Sequence, residues 1–224
     1  MLVSQGVDAA FGGVLGLLVG SFLNVVIYRT PVMMYRQWLG DAIGNLMKVD
    51  GVPSLWSLVF GPKSSTPPQL EAAAGEAAKA VEALPPFDLT RPASRCGHCG
   101  HSIRWYENVP VLSYVFLRGR CSACSTPISP RYPLVELTTG ALFALCGWRY
   151  GLSATAVLWA AFAALLVCQF LIDLDTQYLP DSLNYALLWL GLIGAAVGVI
   201  DQPQPQVAEH GTPDRGCQRH ARQP

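Results

Sequence analysis

Residues 9–28 read AAFGGVLGLLVGSFLNVVIY, and they decide the fold of this chain. They contain no charged residue, and only Ser21 and Asn24 are strongly polar. Twenty residues of α-helix rise about 30 Å, which is the thickness of the hydrocarbon core of a bilayer. A secretory signal peptide is the alternative, but residues 1–8 contain no Lys or Arg and no small-residue cleavage site follows. We therefore interpret this stretch as a retained transmembrane helix.

Three further apolar segments predict more membrane helices. Residues 152–172 and 183–200 are long and apolar enough to cross a bilayer. Residues 134–148 are shorter and are interrupted by Glu136 and two threonines, so we expect a span that starts in the interfacial region. The sequence thus predicts an all-α polytopic membrane protein with about four transmembrane helices.

The composition agrees with this class. Of the 224 residues, 51% are hydrophobic and only 13% are charged, whereas soluble domains carry about 25% charged residues. The 15 basic and 15 acidic residues cancel, which argues against a nucleic-acid-binding protein because no net field attracts phosphates. The high apolar content excludes a disordered chain. The expected partner is the lipid bilayer.

The basic residues indicate the orientation in the membrane. None of the 15 lies in residues 1–28, and eleven lie in residues 29–133. Because basic residues are retained on the cytoplasmic side, we expect residues 29–133 in the cytoplasm and the N-terminus outside. Alternation of the spans then places the loop between Asp173 and Asp181 in the cytoplasm as well.

The first part of the polar insert, residues 29–91, is heterogeneous. Residues 33–48 (MMYRQWLGDAIGNLMK) suit a short helix, and residues 69–84 are rich in alanine. The alanine-rich run has high helix propensity, but no apolar stripe indicates what it would pack against. We interpret this region as a linker with some helical content.

The second part of the insert contains two C-x-x-C knuckles separated by 21 residues. Four thiolates at such a spacing suit tetrahedral zinc in a small ribbon. The alternatives are two disulfides, which a reducing cytoplasm disfavours, and a redox-active C-x-x-C, which lacks a surrounding βαβ pattern. His98 and His101 are adjacent spare ligands, but we favour their interpretation as solvated residues of the ribbon. The predicted metal ligands are Cys96, Cys99, Cys121 and Cys124.

The remaining cysteines lie outside this pattern. Cys146 and Cys168 fall inside predicted spans, where a free cysteine serves as a small apolar side chain. Cys217 stands alone in the C-terminal tail.

Small residues form a stripe on the first helix. Gly12, Gly16, Gly20 and Asn24 recur every four residues and therefore share one helix face. Glycines at this spacing let two membrane helices approach closely, and an asparagine beside them can hydrogen-bond across the contact. We favour helix packing over a direct chemical role for Asn24.

Three carboxylates lie between two apolar spans, in the sequence IDLDTQYLPD at residues 172–181. Asp181 follows Pro180 at a predicted helix start, where Asp181 or Ser182 would cap backbone N–H groups. Asp173 and Asp175 have no such explanation, so they are either part of a solvated acidic turn or functional. A carboxylate at a membrane boundary is a candidate for function, and catalysis would need a second carboxylate to share its proton.

Together these features resemble the bacterial prepilin peptidases, the polytopic aspartic proteases of type IV pilus and type II secretion systems. The resemblance covers about residues 9–200, in the order that the family shows. Four blocks carry it: residues 20–29 (GSFLNVVIYR), the first knuckle with residues 103–114 (IRWYENVPVLSY), residues 118–137 (RGRCSACSTPISPRYPLVEL) and residues 172–181 (IDLDTQYLPD).

The resemblance implies a bifunctional enzyme of the bacterial inner membrane. Such an enzyme removes the basic leader of prepilins and pseudopilins at the cytoplasmic face and then methylates the new N-terminus with S-adenosylmethionine. Asp173, seven residues before Pro180, matches the first catalytic aspartate, which leaves Asp175 as its neighbour. The four cysteines match a cytoplasmic metal-binding domain. Gly119 matches a glycine associated with methyl transfer, although its spacing alone indicates only a turn.

One part of the family pattern is missing. The second catalytic aspartate of the family lies in a G-x-G-D-x-K motif further along, and these 224 residues contain no such motif. Residues 201–224 (DQPQPQVAEHGTPDRGCQRHARQP) are too polar to span a bilayer. We interpret this polar tail as a truncation, a change of reading frame or natural divergence. We expect the chain as printed to lack proteolytic activity. The alternative function is a non-catalytic zinc-binding membrane protein that interacts with prepilins or the secretion machinery.

These observations divide the chain into five predicted regions. Residues 1–28 form the first transmembrane helix and residues 29–91 a cytoplasmic linker with helical content. Residues 92–133 form the four-cysteine domain, a small insert resembling a zinc ribbon. Residues 134–200 hold the later transmembrane helices with the Asp173 loop, and residues 201–224 form the polar tail.

Overall fold

A computed structural model describes residues 2–47 and 54–199. The predicted polar tail with Cys217 lies outside the described residues, as does Ile200 at the end of the last predicted span. The described part is mostly helical and contains no strand, which confirms the all-α part of the prediction. Its α-helices are α1 (Leu2–Leu46), α2 (Leu55–Phe60), α3 (Pro68–Glu82), α4 (Leu112–Phe116), α5 (Arg131–Tyr150), α6 (Ala154–Thr176) and α7 (Asp181–Ala196), and a 3-10 helix covers Trp105–Asn108.

Helix α1 extends well beyond the apolar stretch that predicts it. Its 45 residues correspond to a length of about 67 Å, roughly twice the thickness of a bilayer core. The short helix predicted at residues 33–48 is the continuation of α1. Pro31 lies inside the helix, and its missing N–H costs one backbone hydrogen bond. The helix continues through it, and beyond Tyr28 it contacts the chain that follows α3 through Arg29 and Arg36.

The glycine stripe of α1 packs against α5, as predicted. A Cβ atom built on Gly16 would lie 2.7 Å from the carbonyl oxygen of Thr139, and one on Gly20 would lie 2.8 Å from the Cα of Glu136. The pairing is antiparallel, since residues further along α1 meet residues earlier in α5. Asn24 completes the contact, because its side-chain amide donates a 3.2 Å hydrogen bond to the carbonyl oxygen of Tyr132. The stripe therefore serves close helix packing.

Helix α6 supplies the third wall of the core. Ile172 and Cys168 are almost fully buried there, with 0% and 1% of their surface exposed. This confirms the predicted packing role of Cys168. Helix α7 is joined to α6 by a 2.7 Å hydrogen bond from the amide of Gln169 to the side-chain oxygen of Asn184. The core residues contributed by α1, α5 and α6 are Leu23, Val26, Ile27, Val135, Phe143, Ala160, Ala164, Cys168 and Ile172.

Two of the described helices are long and apolar enough to cross a membrane. They are Gln5–Leu46 within α1 and Ala154–Thr176, which is α6. Helices α5 and α7 coincide with the other two predicted spans, but α5 is less apolar and α7 is only 16 residues long. Four spans thus remain a prediction, and two candidate membrane helices are what the fold presents.

The alanine-rich run is a packed helix, so its interpretation as a linker is wrong. It forms α3, which lies against α1 and buries Ala74. Alanine lets two helices approach closely, so α3 packs against α1 without a stripe of large apolar residues.

The chain after α3 is fastened to α1 by two arginines. Arg29 is buried, and its guanidinium donates hydrogen bonds of 2.7 Å and 2.6 Å to the carbonyl oxygens of Asp88 and Pro92. The guanidinium carbon of Arg36 lies 4.8 Å from the centre of the Phe87 ring, and that of Arg29 lies 5.6 Å from it. These contacts hold the last residues before the cysteine domain against α1, at the point where its apolar part ends.

Candidate active site and metal centre

The three predicted carboxylates lie together at one end of the helical bundle. Asp173 and Asp175 are in the last turn of α6, and Asp181 begins α7. The turn between the helices starts at Gln177, whose left-handed backbone (φ 57°) ends α6. All three aspartates are exposed. The arrangement places a concentration of negative charge where α6 ends and α7 starts.

Asp175 has a structural partner that the sequence did not reveal. Its two carboxylate oxygens accept hydrogen bonds of 2.8 Å and 2.7 Å from the two terminal nitrogens of Arg131. The same guanidinium also donates to the carbonyl oxygen of Leu171 at 3.3 Å. Such a two-pronged pair fixes orientation as well as charge. Asp175 therefore ties the end of α6 to the start of α5.

Asp173 is left without a partner among the described residues. Its side chain is exposed and makes no hydrogen bond or ion pair within them, while the neighbouring Asp175 is neutralised by Arg131. A free carboxylate in this place can accept a proton from water, but general acid–base catalysis by two carboxylates requires a second one close by. Asp173 and Asp181 are thus the two carboxylates of this loop that have no side-chain partner among the described residues.

The predicted helix start at residue 181 is confirmed, but the predicted cap is wrong. Helix α7 begins at Asp181, the cap position is Pro180, and no side chain hydrogen-bonds to the free N–H groups. The cap residue is therefore a proline, which has no side-chain acceptor. Asp181 instead lies in the first turn, where a negative charge interacts favourably with the helix dipole.

The four predicted cysteines of the two knuckles converge. Their sulfur atoms all lie within 4.8 Å of one another, and those of Cys96 and Cys124 are 3.8 Å apart. A tetrahedral zinc ion with bonds of about 2.3 Å requires sulfur atoms about 3.8 Å apart. All four thiols are free of disulfide bonds. The cluster fits a tetrahedral metal ion of this size, and small adjustments of the side chains suffice to close it.

The two knuckles repeat the same backbone hydrogen bonds 25 residues apart. In the first, the N–H of Cys96 donates to the carbonyl oxygen of His101 at 2.8 Å. In the second, the N–H of Cys121 donates to that of Thr126 at 2.9 Å. Each knuckle closes with one isolated antiparallel bridge, Arg95 with Ser102 and Arg120 with Pro127. The paired R-C-x-x-C pattern was the sequence signal for this repeat. Apart from these bridges, the described part of the domain has no strand.

Backbone and hydroxyl groups adjust the acidity of the thiols. The N–H of Cys99 is the largest influence that lowers the pKa of Cys96. The hydroxyl of Thr126, followed by its N–H, lowers the pKa of Cys124 to about 6. The N–H of His101 lowers the pKa of Cys99, but burial and hydrogen bonds with the other thiols outweigh it and raise that pKa to about 11. The four thiols thus share protons through hydrogen bonds with one another, and a divalent metal ion would displace those protons.

Neither His98 nor His101 belongs to the sulfur cluster. The ring nitrogen Nε2 of His101 lies 3.3 Å from a carboxylate oxygen of Glu107 and 3.4 Å from the hydroxyl of Ser122. His101 thus links the first knuckle to the second and to the 3-10 helix. Glu107 also accepts the backbone N–H of Arg104 at 2.8 Å. That N–H, with the Ser122 hydroxyl and His101, holds the pKa of Glu107 down at about 2.

Gly119 occupies a tight turn, as its spacing indicates. Its φ of 65° is in the left-handed region that glycine favours, and a Cβ atom there would lie 2.9 Å from the Tyr114 ring. The N–H of Gly119 donates to the carbonyl oxygen of Tyr114 at 2.8 Å. The side of Gly119 where a side chain would project is filled by Tyr114 and does not face a cavity.

Glu136 is a buried polar residue whose role is not evident from the sequence. It is 8% exposed and lies in α5, where its carboxylate accepts the backbone N–H of Val111 at 2.7 Å. The sequence did contain a signal for this role, because a carboxylate within an otherwise apolar membrane helix indicates a specific partner. Glu136 joins the cysteine-bearing insert to the helical bundle.

Comparison with known proteins gives consistent matches. Residues 14–150 match the family model described as the bacterial peptidase A24 N-terminal domain. A protein of Burkholderia pseudomallei (strain 1026b) is 43% identical over 188 residues, which are 84% of this chain and 52% of the relative. A Pseudomonas putida protein is 45% identical over 186 residues (83% and 54%), and a Neisseria gonorrhoeae protein is 44% identical over 180 residues (80% and 53%).

All three relatives are named prepilin leader peptidase/N-methyltransferase. The chain spans about half the length of these curated relatives. No solved structure matches the chain.

Proposed function

The chain belongs to the bacterial prepilin peptidase family, and on that premise we propose that it acts in the processing of type IV prepilins and pseudopilins. The processing comprises removal of the basic leader and N-methylation of the new N-terminus, for type IV pilus assembly or type II secretion. The proposal is carried by one observation, the match of residues 14–150 to the N-terminal domain of this peptidase family. The names of the relatives supply both activities.

Asp173 is the catalytic residue that these 224 residues contribute to proteolysis. The support is its position in the last turn of α6, its exposure and its freedom from the ion pair that engages Asp175. The family resemblance places the partner carboxylate in a G-x-G-D-x-K motif, which is absent from these residues. Because one carboxylate cannot act as base and acid at once, we propose that these 224 residues alone do not cleave a prepilin.

The four-cysteine cluster holds one structural zinc ion. Its support is the convergence of four sulfur atoms to within 4.8 Å of one another, with one pair 3.8 Å apart, on two knuckles with matching backbone hydrogen bonds. A bound zinc ion would fix the two knuckles to each other in a domain too small to build its own core. The ligands are Cys96, Cys99, Cys121 and Cys124.

S-adenosylmethionine enters the proposal as methyl donor through the activity named for the relatives. Gly119 enters the proposal as the glycine that the family resemblance associates with methyl transfer. In the fold it occupies a tight turn against Tyr114.

We place the carboxylate end of the bundle and the four-cysteine domain at the cytoplasmic face of the inner membrane. The bias of basic residues towards residues 29–133 supports this side. Arg131, which begins α5, is paired with Asp175 at the end of α6. The polar insert and the Asp173 loop therefore share one end of the bundle, which is where a basic leader would meet exposed aspartates.

A second candidate function is binding of prepilins without cleavage. It is favoured by the combination of an intact cysteine cluster with a carboxylate that has no partner among the described residues.

The test is incubation of the purified chain, in detergent, with a prepilin. Leader removal is read by a shift in mass, and binding is read by co-purification. We expect binding and no cleavage. Efficient leader removal that disappears in Asp173→Ala would overturn the proposed lack of activity, and failure to bind any prepilin would contradict both candidate functions.

A further inference from the structure

We propose that residues 103–118, which we call the interfacial segment, lie in the headgroup region of the bilayer as a membrane anchor for the cysteine domain. The segment comprises the 3-10 helix Trp105–Asn108, helix α4 (Leu112–Phe116) and their flanks. The occupant of its exposed apolar face is the lipid leaflet. The inference depends on the membrane placement proposed above and on no catalytic activity.

The segment exposes large apolar side chains. Trp105 and Phe116 are each 82% exposed, Val115 is 64% exposed and Leu112 is 57% exposed. Four such residues within twelve positions are unusual on a surface that faces water, where apolar side chains are normally scattered. An open depression of about 570 Å³ lies between the 3-10 helix and α4, and Leu112 and Phe116 contribute to its walls. The surface is suited to contact with acyl chains.

One hydrogen bond sets the depth of the segment. The backbone N–H of Val111 donates to a carboxylate oxygen of Glu136 at 2.7 Å. Glu136 packs against Gly20, which lies nine residues before Arg29 and therefore about 13 Å deeper along α1. Side chains lean towards the N-terminus of their helix, so the Glu136 carboxylate reaches back towards Arg131. Val111 is consequently held between the level of Gly20 and the level of Arg29 on α1.

The backbone at Val111 is shaped to make this hydrogen bond. Its φ is 58° and its ψ is −46°, although β-branched residues strongly avoid positive φ. Such conformations persist where the surroundings impose them. Pro110 is buried directly before it, and α4 starts directly after it. The backbone conformation of Val111 and its hydrogen bond together tie the start of α4 to Glu136 in α5.

Charges around the segment complement an anionic leaflet. Arg104, Arg118 and Arg120 are all exposed. The acidic residue of the segment, Glu107, is engaged with the N–H of Arg104 and with His101. Aromatic residues with flanking arginines are typical of the membrane–water interface, and arginines there attract the phosphates of anionic lipids. These features favour lipid over a protein partner as the occupant.

The experiment measures the depth of Trp105 in the full chain. The chain is labelled with 5-fluorotryptophan, reconstituted in vesicles of phosphatidylglycerol and phosphatidylcholine, and observed by fluorine NMR. Trp105→Phe identifies the Trp105 resonance among those of the six tryptophans. We expect lipid spin-labelled at carbon 5 to broaden this resonance beyond detection, while a water-soluble gadolinium chelate leaves it unchanged. A resonance that gadolinium broadens and the lipid label leaves sharp would overturn the proposal and indicate a surface open to a protein partner.

The tether is tested with two variants at one position. Glu136→Gln keeps a side-chain oxygen that can accept the Val111 N–H, so the broadening pattern should stay that of the unaltered chain. Glu136→Leu removes the acceptor, and Trp105 should become accessible to gadolinium. The resonance of Trp189, in α7, shows whether the bundle is intact. An unchanged depth of Trp105 in Glu136→Leu, with Trp189 unchanged, would refute the tether.

Discussion

Replacing Gly16 by alanine tests the helix pairing that positions every site in this molecule. A Cβ atom on Gly16 would lie 2.6 Å from the Cβ of Phe143, 2.7 Å from the carbonyl oxygen of Thr139 and 2.8 Å from the Cα of Gly140. None of these atoms belongs to the far end of a flexible side chain. Ordinary carbon contacts begin near about 3.5 Å, so α1 and α5 would have to separate by almost an ångström.

The expected loss follows from these distances. Overpacking of this kind costs about 1–3 kcal/mol, and alanine returns up to about 1 kcal/mol of helix propensity relative to glycine. We therefore expect a net loss of about 1–2 kcal/mol in the free energy of unfolding. For a chain of this size, that corresponds to a Tm lower by about 2–8 °C, measured by circular dichroism of the chain in detergent.

Gly13 provides the matched control. It lies on the same helix, one turn away, but a Cβ atom there would be 3.5 Å from the Cβ of Ala144, an ordinary contact. Gly13→Ala should keep or raise the Tm, because alanine has the higher helix propensity and no overpacking opposes it. A Gly16→Ala variant as stable as the unaltered chain would refute the close pairing of α1 with α5, and so would an equal loss in Gly13→Ala.

Three further predictions concern the metal, the insert and pH. Cys96→Ser should lower the bound zinc, measured by atomic absorption, whereas Cys146→Ser, outside the sulfur cluster, should leave it at one ion per chain. Arg29→Ala should speed backbone hydrogen exchange in residues 85–92, because two charged hydrogen bonds worth about 1.5–3 kcal/mol each are lost, and Arg29→Lys should restore little because lysine lacks the guanidinium fork. The pKa of Glu107 is lowered to about 2 in the folded chain, whereas that of an unfolded glutamate is about 4.3. The contribution of Glu107 to stability is therefore present above a pH of about 4.3 and is lost as the pH falls towards 2. Glu107→Gln should flatten that part of the stability profile, and an unaltered profile would contradict the assignment.

The sequence predicted the elements whose signal is local. The apolar runs correspond to α1, α5, α6 and α7, the glycine stripe of α1 meets α5, and the four knuckle cysteines converge. The helices, the shared face of the glycines and each C-x-x-C pair follow from local spacing. The convergence of the two knuckles follows from the preference of a metal ion for four thiolates, whereas the choice of α5 as the partner of the glycine stripe was not predictable. The amide of Asn24 even makes the predicted hydrogen bond across the helix contact.

Features that depend on contacts between distant segments were not predictable. Helix α1 continues to Leu46, well past its apolar stretch, and its contact with α3 joins segments that are distant in sequence. The pair of Arg131 with Asp175 joins residues 44 positions apart, and no local pattern distinguishes Asp175 from Asp173. The left-handed Val111 contradicts its own backbone preference, and it becomes understandable only with Glu136 beside it.

The central claim is that Asp173 is the catalytic aspartate of this chain. The most direct measurement is leader removal from a prepilin in cells that express this chain together with a membrane fragment carrying the family's G-x-G-D-x-K motif. We predict that the pair processes the prepilin, that Asp173→Asn abolishes processing, and that Asp175→Asn retains it because Asp175 is engaged with Arg131. Processing that survives Asp173→Asn, or that is lost only in Asp175→Asn, would contradict the account.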